Sequence, residues 1–527
     1  MRITNKIIQN NNLANINTNK IYQDTLSTQM STQKKINRPS DDPVVAIRAL
    51  RLRSNVTEVT QYYSKNIPDA ESWLEVTEDS LNNLTSVLTN MIGQCTKGAN
   101  GDLTASDRQI ILEQLKALGD EVYSTADADY AGRYVFTGYR TDTSLRFDKN
   151  ETLETTIVEQ LSKDNIDSLT IIDTKSASGD DLKDINKVNY GDVDVAAMDV
   201  TSADVHRIRL AYNNCMDEIP VLSYPVQRED ANGDKYLEWQ SITTEMMHEY
   251  DSNPSPAERV QEASEAGTEM AVYVPETGEL YLSDAAYDRL MKLEDDTSTS
   301  ALDEAEIRVT YKKDKWEVGD LRPQHYFACS TTDADGNVIE YNQDYLKGIV
   351  ERQDIEYDVG FNQTIRVNST ADECFKHGIG RAVDDMVQAM QDVVDMQKIM
   401  DDLESLKEGA TGDTLAELES KLNVVGKAYD LLKDKAQRMF ESGITTMQGY
   451  LDEANLSITN CGTRSSKLEL IKNRMQTQKT TFETLKSENE DVDITEIAIQ
   501  LSSAQLTYEA ALMATGKVTQ TSLLNYI

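Results

Sequence analysis

Between Ile497 and Ile527 the chain carries only two charged side chains, Glu509 and Lys517. An apolar stripe through Ile494, Ile497, Leu501, Ala504, Tyr508, Ala511 and Val518 advances in steps of three, four or seven, which predicts a helix with a coiled-coil seam. A second stripe, Ile499, Leu506 and Met513, lies nearly opposite the first at about 100° per residue. Apolar residues continue to Leu523 and Leu524. A helix buried on one face does not account for both stripes, so partners are expected on two sides. The other end of the chain offers one of them. Ile3 with Ile7, Leu13 with Ile16, and Tyr22 with Leu26 and Met30 are spaced by three or four, diluted by seven asparagines in the first 33 residues. Helix propensity there is low, and the segment is expected to order only once a partner helix supplies the missing surface.

The flanks of the chain have the same helical period. Asp42 and Pro43 supply an N-cap and a proline at the first helical position, opening a helix that runs toward Gly93 with a kink expected at Pro68. Leu74, Leu81, Leu84, Leu88 and Met91 then form a core stripe. Thr104 and Asp107 fit a capping box for a helix through Ile111, Leu115, Leu118 and Val122. Residues 381–407, 414–455 and 464–486 read as helices, and 488–493 break the pattern before the last one.

The middle follows a period of two instead. Segments 224–229 and 235–242, 270–274 and 279–282, and 326–330 and 338–341 each flank a turn containing glycine, which predicts three hairpins. Residues 355–368 suggest a fourth, and Ala285 to Leu293 a short helix. Six of the nine prolines fall in this stretch, and none follows residue 371.

Charge sharpens the division. The formal net charge is −39, and residues 151–370 hold 47 acidic against 19 basic residues. The expected architecture is mainly α with an inserted β-rich domain. It divides into a terminal coiled-coil assembly region (1–40 plus 494–527), a helical domain (41–148 plus 372–493) and an acidic insert (149–371). So acidic a chain disfavours nucleic acid and anionic membranes as partners. No run of about 18 apolar residues or secretory-type start is present, so a soluble chain without that export route is expected.

Candidate chemistry is sparse. Cys95, Cys215, Cys329, Cys374 and Cys461 are too scattered for a disulfide framework, and the four histidines lack metal-ligand spacing. Phosphate-loop, dinucleotide, metalloprotease and serine-hydrolase motifs are absent. Asp333-Ala-Asp335-Gly-Asn337 places its glycine wrongly for a calcium loop and reads as a turn. No catalytic, cofactor or metal residue is nominated, and an enzyme is not expected. The nominated functional residues are the assembly positions Ile3, Ile7, Leu13, Ile16, Leu26, Met30, Ile494, Ile497, Ile499, Leu501, Leu506, Tyr508, Met513, Leu523 and Leu524.

Several stretches carry a family resemblance. Near the start stand Met1-Arg-Ile-Thr, Asn37-Arg-Pro-Ser-Asp-Asp-Pro43 and Gly132-Arg-Tyr-Val-Phe-Thr-Gly-Tyr139. Near the end stand Cys461-Gly-Thr-Arg-Ser-Ser-Lys-Leu-Glu469, Glu490-Asp-Val-Asp-Ile494, Tyr508-Glu-Ala-Ala-Leu512 and Ser522-Leu-Leu-Asn-Tyr-Ile527. In this order they resemble the flagellin superfamily over about 1–148 and 440–527, closer to its hook-filament junction branch than to filament flagellins. Asp41-Asp-Pro-Val-Val45 replaces the Asp-Asp-Ala-Ala-Gly usual in the latter. The resemblance implies both termini in an inner coiled coil, an outward β domain, and export unfolded through the flagellar type III channel to the extracellular flagellum. Expected partners are further copies of the chain, hook-associated protein 1, flagellin and an export chaperone. A divergent flagellin, or an enzyme carried by the insert, are the alternatives.

Overall fold

The computed structural model describes residues 5–520 apart from 177–178, 230–234, 252–253, 294–305, 333–335 and 348–352. The turns expected at 230–234 and 333–335 lie outside the described residues. Helices come first: α1 (Asn5–Thr32), α2 (Pro43–Gln61), α3 (Ile67–Gly98) and α4 (Ala105–Ala126). Then follow β1 (Asp129–Tyr130), β2 (Arg133–Tyr134), β3 (Glu151–Leu161), β4 (Ile166–Ile172), β5 (Ser202–Arg209), β6 (Val221–Glu229) and β7 (Lys235–Met246). Helix α5 (Pro256–Glu265) precedes β8 (Met270–Val274) and β9 (Glu279–Leu282), and α6 (Asp284–Met291) precedes β10 (Ile307–Trp316). Next are β11 (Ala328–Thr332), β12 (Val338–Tyr341), β13 (Glu356–Gly360) and β14 (Gln363–Arg366). Helices α7 (Ala371–Cys374), α8 (Gly378–Lys407), α9 (Asp413–Glu490) and α10 (Ile494–Gln520) close the chain. In chain order the protein thus has long N- and C-terminal helices with a β-rich region between them.

These elements form two compact units. One comprises residues 72–356 and 366–464. In it β3 to β12 build a ten-stranded sheet in the order β12-β11-β3-β10-β6-β7-β8-β9-β5-β4, and β1 pairs with β2 apart from it. The 270–282 hairpin is tight because Gly278 sits at φ +65°, and a Cβ there would lie 1.9 Å from the Tyr212 carbonyl oxygen. Its bundle is closed by α3, whose Leu74, Leu81, Leu84, Leu88 and Met91 are all fully buried. The fit leaves no slack: a Cβ on Gly98 would stand 2.3 Å from the Phe440 ring. Thr104 and Asp107 do form the capping box that starts α4.

Charge docks the sheet onto α8. Arg207 on β5 is buried and bonds Asp167 on β4, Glu279 on β9 (2.6 Å) and Asp385 on α8 (2.9 Å). Burial alone would push the Glu279 carboxyl up, yet Arg207 and Arg209 hold it below its ordinary range. Each of these carboxylates is paired with the Arg207 guanidinium, which offsets the cost of taking the charges out of water.

The second unit comprises residues up to 71, 357–365 and 465–527. Helix α2 opens on Asp42, whose carboxylate accepts from Val44 N at 3.0 Å and Val45 N at 3.1 Å, with Pro43 at the first position. In place of a simple proline kink, Tyr62–Asn66 form a π-turn just ahead of Pro68. A proline removes a helical donor and crowds the carbonyl four residues back, and the extra residue in the wider turn accommodates this strain. The hairpin β13–β14 braces the spot: Asn66 donates to the Asp358 carbonyl at 2.8 Å, and Tyr62 meets Phe361 edge to face. The expected helices 414–455 and 464–486 are in fact one, α9, of 78 residues. Gly462 and its β-branched neighbours weaken the intervening stretch, but the burial of Ala454, Cys461 and Leu468 on one stripe overrides propensity.

One buried carboxyl gives the sheet a pH dependence. Glu159 on β3 is fully buried; it accepts from Tyr311 Oη and from Ala211 N (2.7 Å), while its second oxygen has no partner among the described residues. Burial pushes it up to about 7. A raised carboxyl contributes stability below its unfolded pKa, and that contribution is lost as pH rises through 7. Glu159→Gln should flatten the fall in melting temperature between pH 5 and 8.5 and stabilise the protein by about 1–3 kcal/mol at the upper end. Parallel wild-type and variant melting curves across that range would show the charge is not felt.

Candidate functional site at the terminal helices

The threonine hydroxyls of helix α1 bond back onto its own backbone. Thr18, Thr25, Thr28 and Thr32 each donate to the carbonyl four residues earlier, at 2.8–3.0 Å. Its covered positions are Ile8, Asn12, Ile16, Asn19, Gln23, Leu26 and Gln29, of which Leu26 is fully buried. They recur every three or four residues. Helix α10 packs against α1: Leu26 clusters with Ile497 and Ala504, flanked by Val492 and Leu501, and Tyr22 Oη lies 3.5 Å from Gln500 Oε1. Further along, Tyr508 and Ala511 are half-buried in step with that cluster.

The junctions at the base of these helices are tied together. Gln33 ends α1 in the left-handed region (φ 58°), which turns the chain so that residues 33–35 run beside 490–492. Lys35 N donates to the Glu490 carbonyl at 2.7 Å, and Val492 N to the Gln33 carbonyl at 3.2 Å. Glu490 itself is buried, and Arg53 on α2 grips both its oxygens, at 2.6 and 2.7 Å. Lys34 adds a pair to Asp491 and approaches Glu490 at 3.7 Å. Asn489 donates to the Val45 carbonyl at 3.2 Å. The hydrogen bond from Arg53 outweighs burial and holds the Glu490 carboxyl below its ordinary value, and Lys34 does the same for Asp491.

The nominated positions fall into two sets. Ile497, Leu501 and Tyr508 of the first stripe, with Ile16 and Leu26 of α1, are buried or half-buried. Ile7, Leu13 and Met30 on α1, and Ile494, Ile499, Leu506 and Met513 on α10, are exposed, as are Ile21, Tyr22 and Leu512, at 40–71 %. Ile3, Leu523 and Leu524 lie outside the described residues, as does the side chain of Val518. Lys34, Arg53, Glu490 and Asp491 were not nominated. Their signal in the sequence is an acidic run, 488–493, in a chain whose residues 34–53 are basic, but nothing local says that the two meet. The five cysteines are buried free thiols. Among the described residues there is no cluster of His, Cys, Asp and Glu able to hold a metal, and no helix long and apolar enough to cross a membrane.

The depressed Glu490 makes the junction acid-sensitive. Its contribution is present above the ordinary value of 4.5 and lost as pH falls below it. Glu490→Gln should cost about 1–2 kcal/mol, read as roughly tenfold faster hydrogen exchange in α10 at pH 7. Wild type should loosen similarly on going from pH 5 to 3, whereas the variant should change less, because only the Lys34–Asp491 pair is then left to lose. Equal protection of the two proteins at pH 7 would remove Glu490 from this role.

Residues 3–141 match the bacterial flagellin N-terminal helical region. Flagellar hook-associated protein 3 of Salmonella typhimurium is 29 % identical over 144 residues, 27 % of this chain and 45 % of that protein. The Escherichia coli protein of that name is 29 % identical over 146 residues, again 27 % and 45 %. The match therefore spans less than half the length of these relatives. A crystal structure of flagellar hook-associated protein 3 from Legionella pneumophila aligns with 83 % of this chain and 98 % of its own, at 9 % identity and a TM-score of 0.28. Over residues 3–141 the chain thus matches the bacterial flagellin N-terminal helical region, and it resembles flagellar hook-associated protein 3.

Proposed function

We propose that this chain is a structural component of the bacterial flagellum, a hook-filament junction protein that links hook-associated protein 1 to flagellin by helical polymerisation. The observation that carries the reading is the sidedness of the terminal helices. One apolar stripe of α10 is covered by α1 within the chain, and the opposite stripe is left in water. Ten large apolar side chains exposed on two adjacent helices are a surface built to be covered. Copies of the same chain, then hook-associated protein 1 and flagellin, are the partners; nucleic acid and membrane are not. Residues 1–40 plus 494–527 form the coiled-coil assembly region, 41–148 plus 372–493 the helical domain, and 149–371 an inserted acidic β-rich domain. The protein reaches the extracellular flagellum through the type III channel, attended by an export chaperone, and catalyses nothing. Its work is mechanical.

Labelled protein should sit between hook and filament on intact flagella, and deletion of the gene should leave hooks while flagellin leaks into the medium. Loss of filament with junctions intact would assign the chain to the filament instead. Leu506→Glu with Met513→Glu should leave the α1–α10 contact folded but weaken self-association at high concentration at least tenfold. Covering one such side chain is worth about 1.5 kcal/mol, and tenfold corresponds to about 1.4 kcal/mol. Undiminished association in sedimentation velocity would sink the role of that stripe.

A further inference from the structure

We propose that the outer face of α2 receives the acidic α9–α10 junction of a second copy of the chain, so that successive copies are joined by charge as well as by apolar burial. The inference rests on the assembly role proposed above and names a contact within it.

Two oppositely charged segments stand out. Residues 34–53 contain six basic and two acidic side chains in a chain of net charge −39, and residues 488–496 contain five acidic side chains and no basic one. Part of each is used within the chain, where Arg53 and Lys34 hold Glu490 and Asp491. The remainder is unspent. Arg38, Arg48 and Arg51 are exposed and have no ion-pair partner among the described residues. Glu488, Asp493 and Glu496 are exposed too; Asp493 caps α10 through Thr495 N at 2.8 Å, and neither Glu488 nor Glu496 is paired with a cation among the described residues.

The apolar side chains match as well as the charges. On α2, Val44, Ile47, Arg48 and Arg51 fall within an arc of about 100°, and Val44, Ile47 and the neighbouring Leu50 are 55–64 % exposed. On the junction side, exposed Ile499 stands within about 60° of Glu496 on the same side of α10. A face of apolar and basic residues thus meets one of apolar and acidic residues. A cleft of about 140 Å³ beside the patch, lined by Lys34, Arg38, Leu50 and Arg53 among others, has room for an incoming side chain. The patches are different surfaces of one chain, so their contact is heterologous and repeats as a ring or helix. That continues the exposed stripe of α10 and explains why a second copy, and not a soluble anion, is the occupant. Charges at the rim of such a contact speed encounter and set register, and salt weakens them.

The test uses full-length chains and sedimentation velocity over a range of salt. Arg48→Glu with Arg51→Glu, and separately Glu488→Lys with Glu496→Lys, should each lower self-association at least tenfold, while circular dichroism and hydrogen exchange in α10 stay unchanged. An equimolar mixture of the two variants should recover association, because every α2 face then meets a junction of opposite sign. Wild-type association of either variant, an unaltered salt dependence, or a mixture that fails to recover would overturn the contact. If the charge variants assemble normally while Leu506→Glu with Met513→Glu does not, the assembly role stands and this contact alone fails. If none of them alters assembly, both readings fail.

Discussion

The terminal helices depend on one nearly buried carboxylate. Glu490 ends α9, and its two oxygens are both gripped by Arg53 while the backbone on either side exchanges hydrogen bonds with residues 33–35. Removing a carboxylate from water is unfavourable unless its partners are in place, so the group is stable here only when both segments converge. The convergence sets where α1 ends and α10 begins, and so which side chains of the two helices can touch. Neither helix has an alternative anchor of this kind among the described residues. Helix α1 is rich in asparagine and threonine, whose helix propensity is low, and α10 leaves one of its apolar stripes uncovered.

With the bases fixed, the two faces of each helix take on different roles. The covered positions of α1 include Asn12, Asn19, Gln23 and Gln29 beside Ile8, Ile16 and Leu26. Amides in a helical seam lower its stability but penalise misaligned registers, because a shift buries them without partners. The larger side chains, Leu13, Ile21 and Tyr22, point outward with Ile499, Leu506 and Met513 of α10. The inner seam is therefore weak and specific, while the outer surface holds most of the unrealised apolar burial. Such a division suits a helix pair that keeps its register alone and gains its stability from neighbours.

Much of this was legible in the sequence, and the parts that were not share a cause. The Leu74 to Met91 stripe, the Thr104 cap and the hairpin of 270–282 are local patterns, fixed by spacing and by turn residues. The two stripes of α10 were legible as well, but not which one meets α1. Hairpins 224–242 and 326–341 were visible, whereas β3, β4, β5 and β10 were not. Those strands pair with distant segments, as β3 does with β10 some 150 residues on, and no turn between them marks the pairing. The same holds for Arg53 and Glu490, 437 residues apart. The Pro68 kink and the break expected within α9 failed differently. Local propensity was read correctly, and tertiary contacts overrode it: the 357–365 hairpin braces a π-turn, and Cys461 is fully buried.

A chain of net charge −39 has an obvious difficulty in stacking on copies of itself. The distribution of that charge resolves it. Residues 151–370 carry 47 acidic and 19 basic side chains, which accounts for 28 of the 39 negative charges. By contrast α1 carries Lys6 and Lys20 against Asp24, and α10 carries Lys517 against Glu496 and Glu509, so the two helices together are neutral. Bringing such helices together meets little repulsion of their own, and repulsion between exposed charges elsewhere fades over about 8 Å at physiological salt. Charge and apolar surface are thus segregated along the sequence, which is what the proposed assembly of so acidic a chain requires.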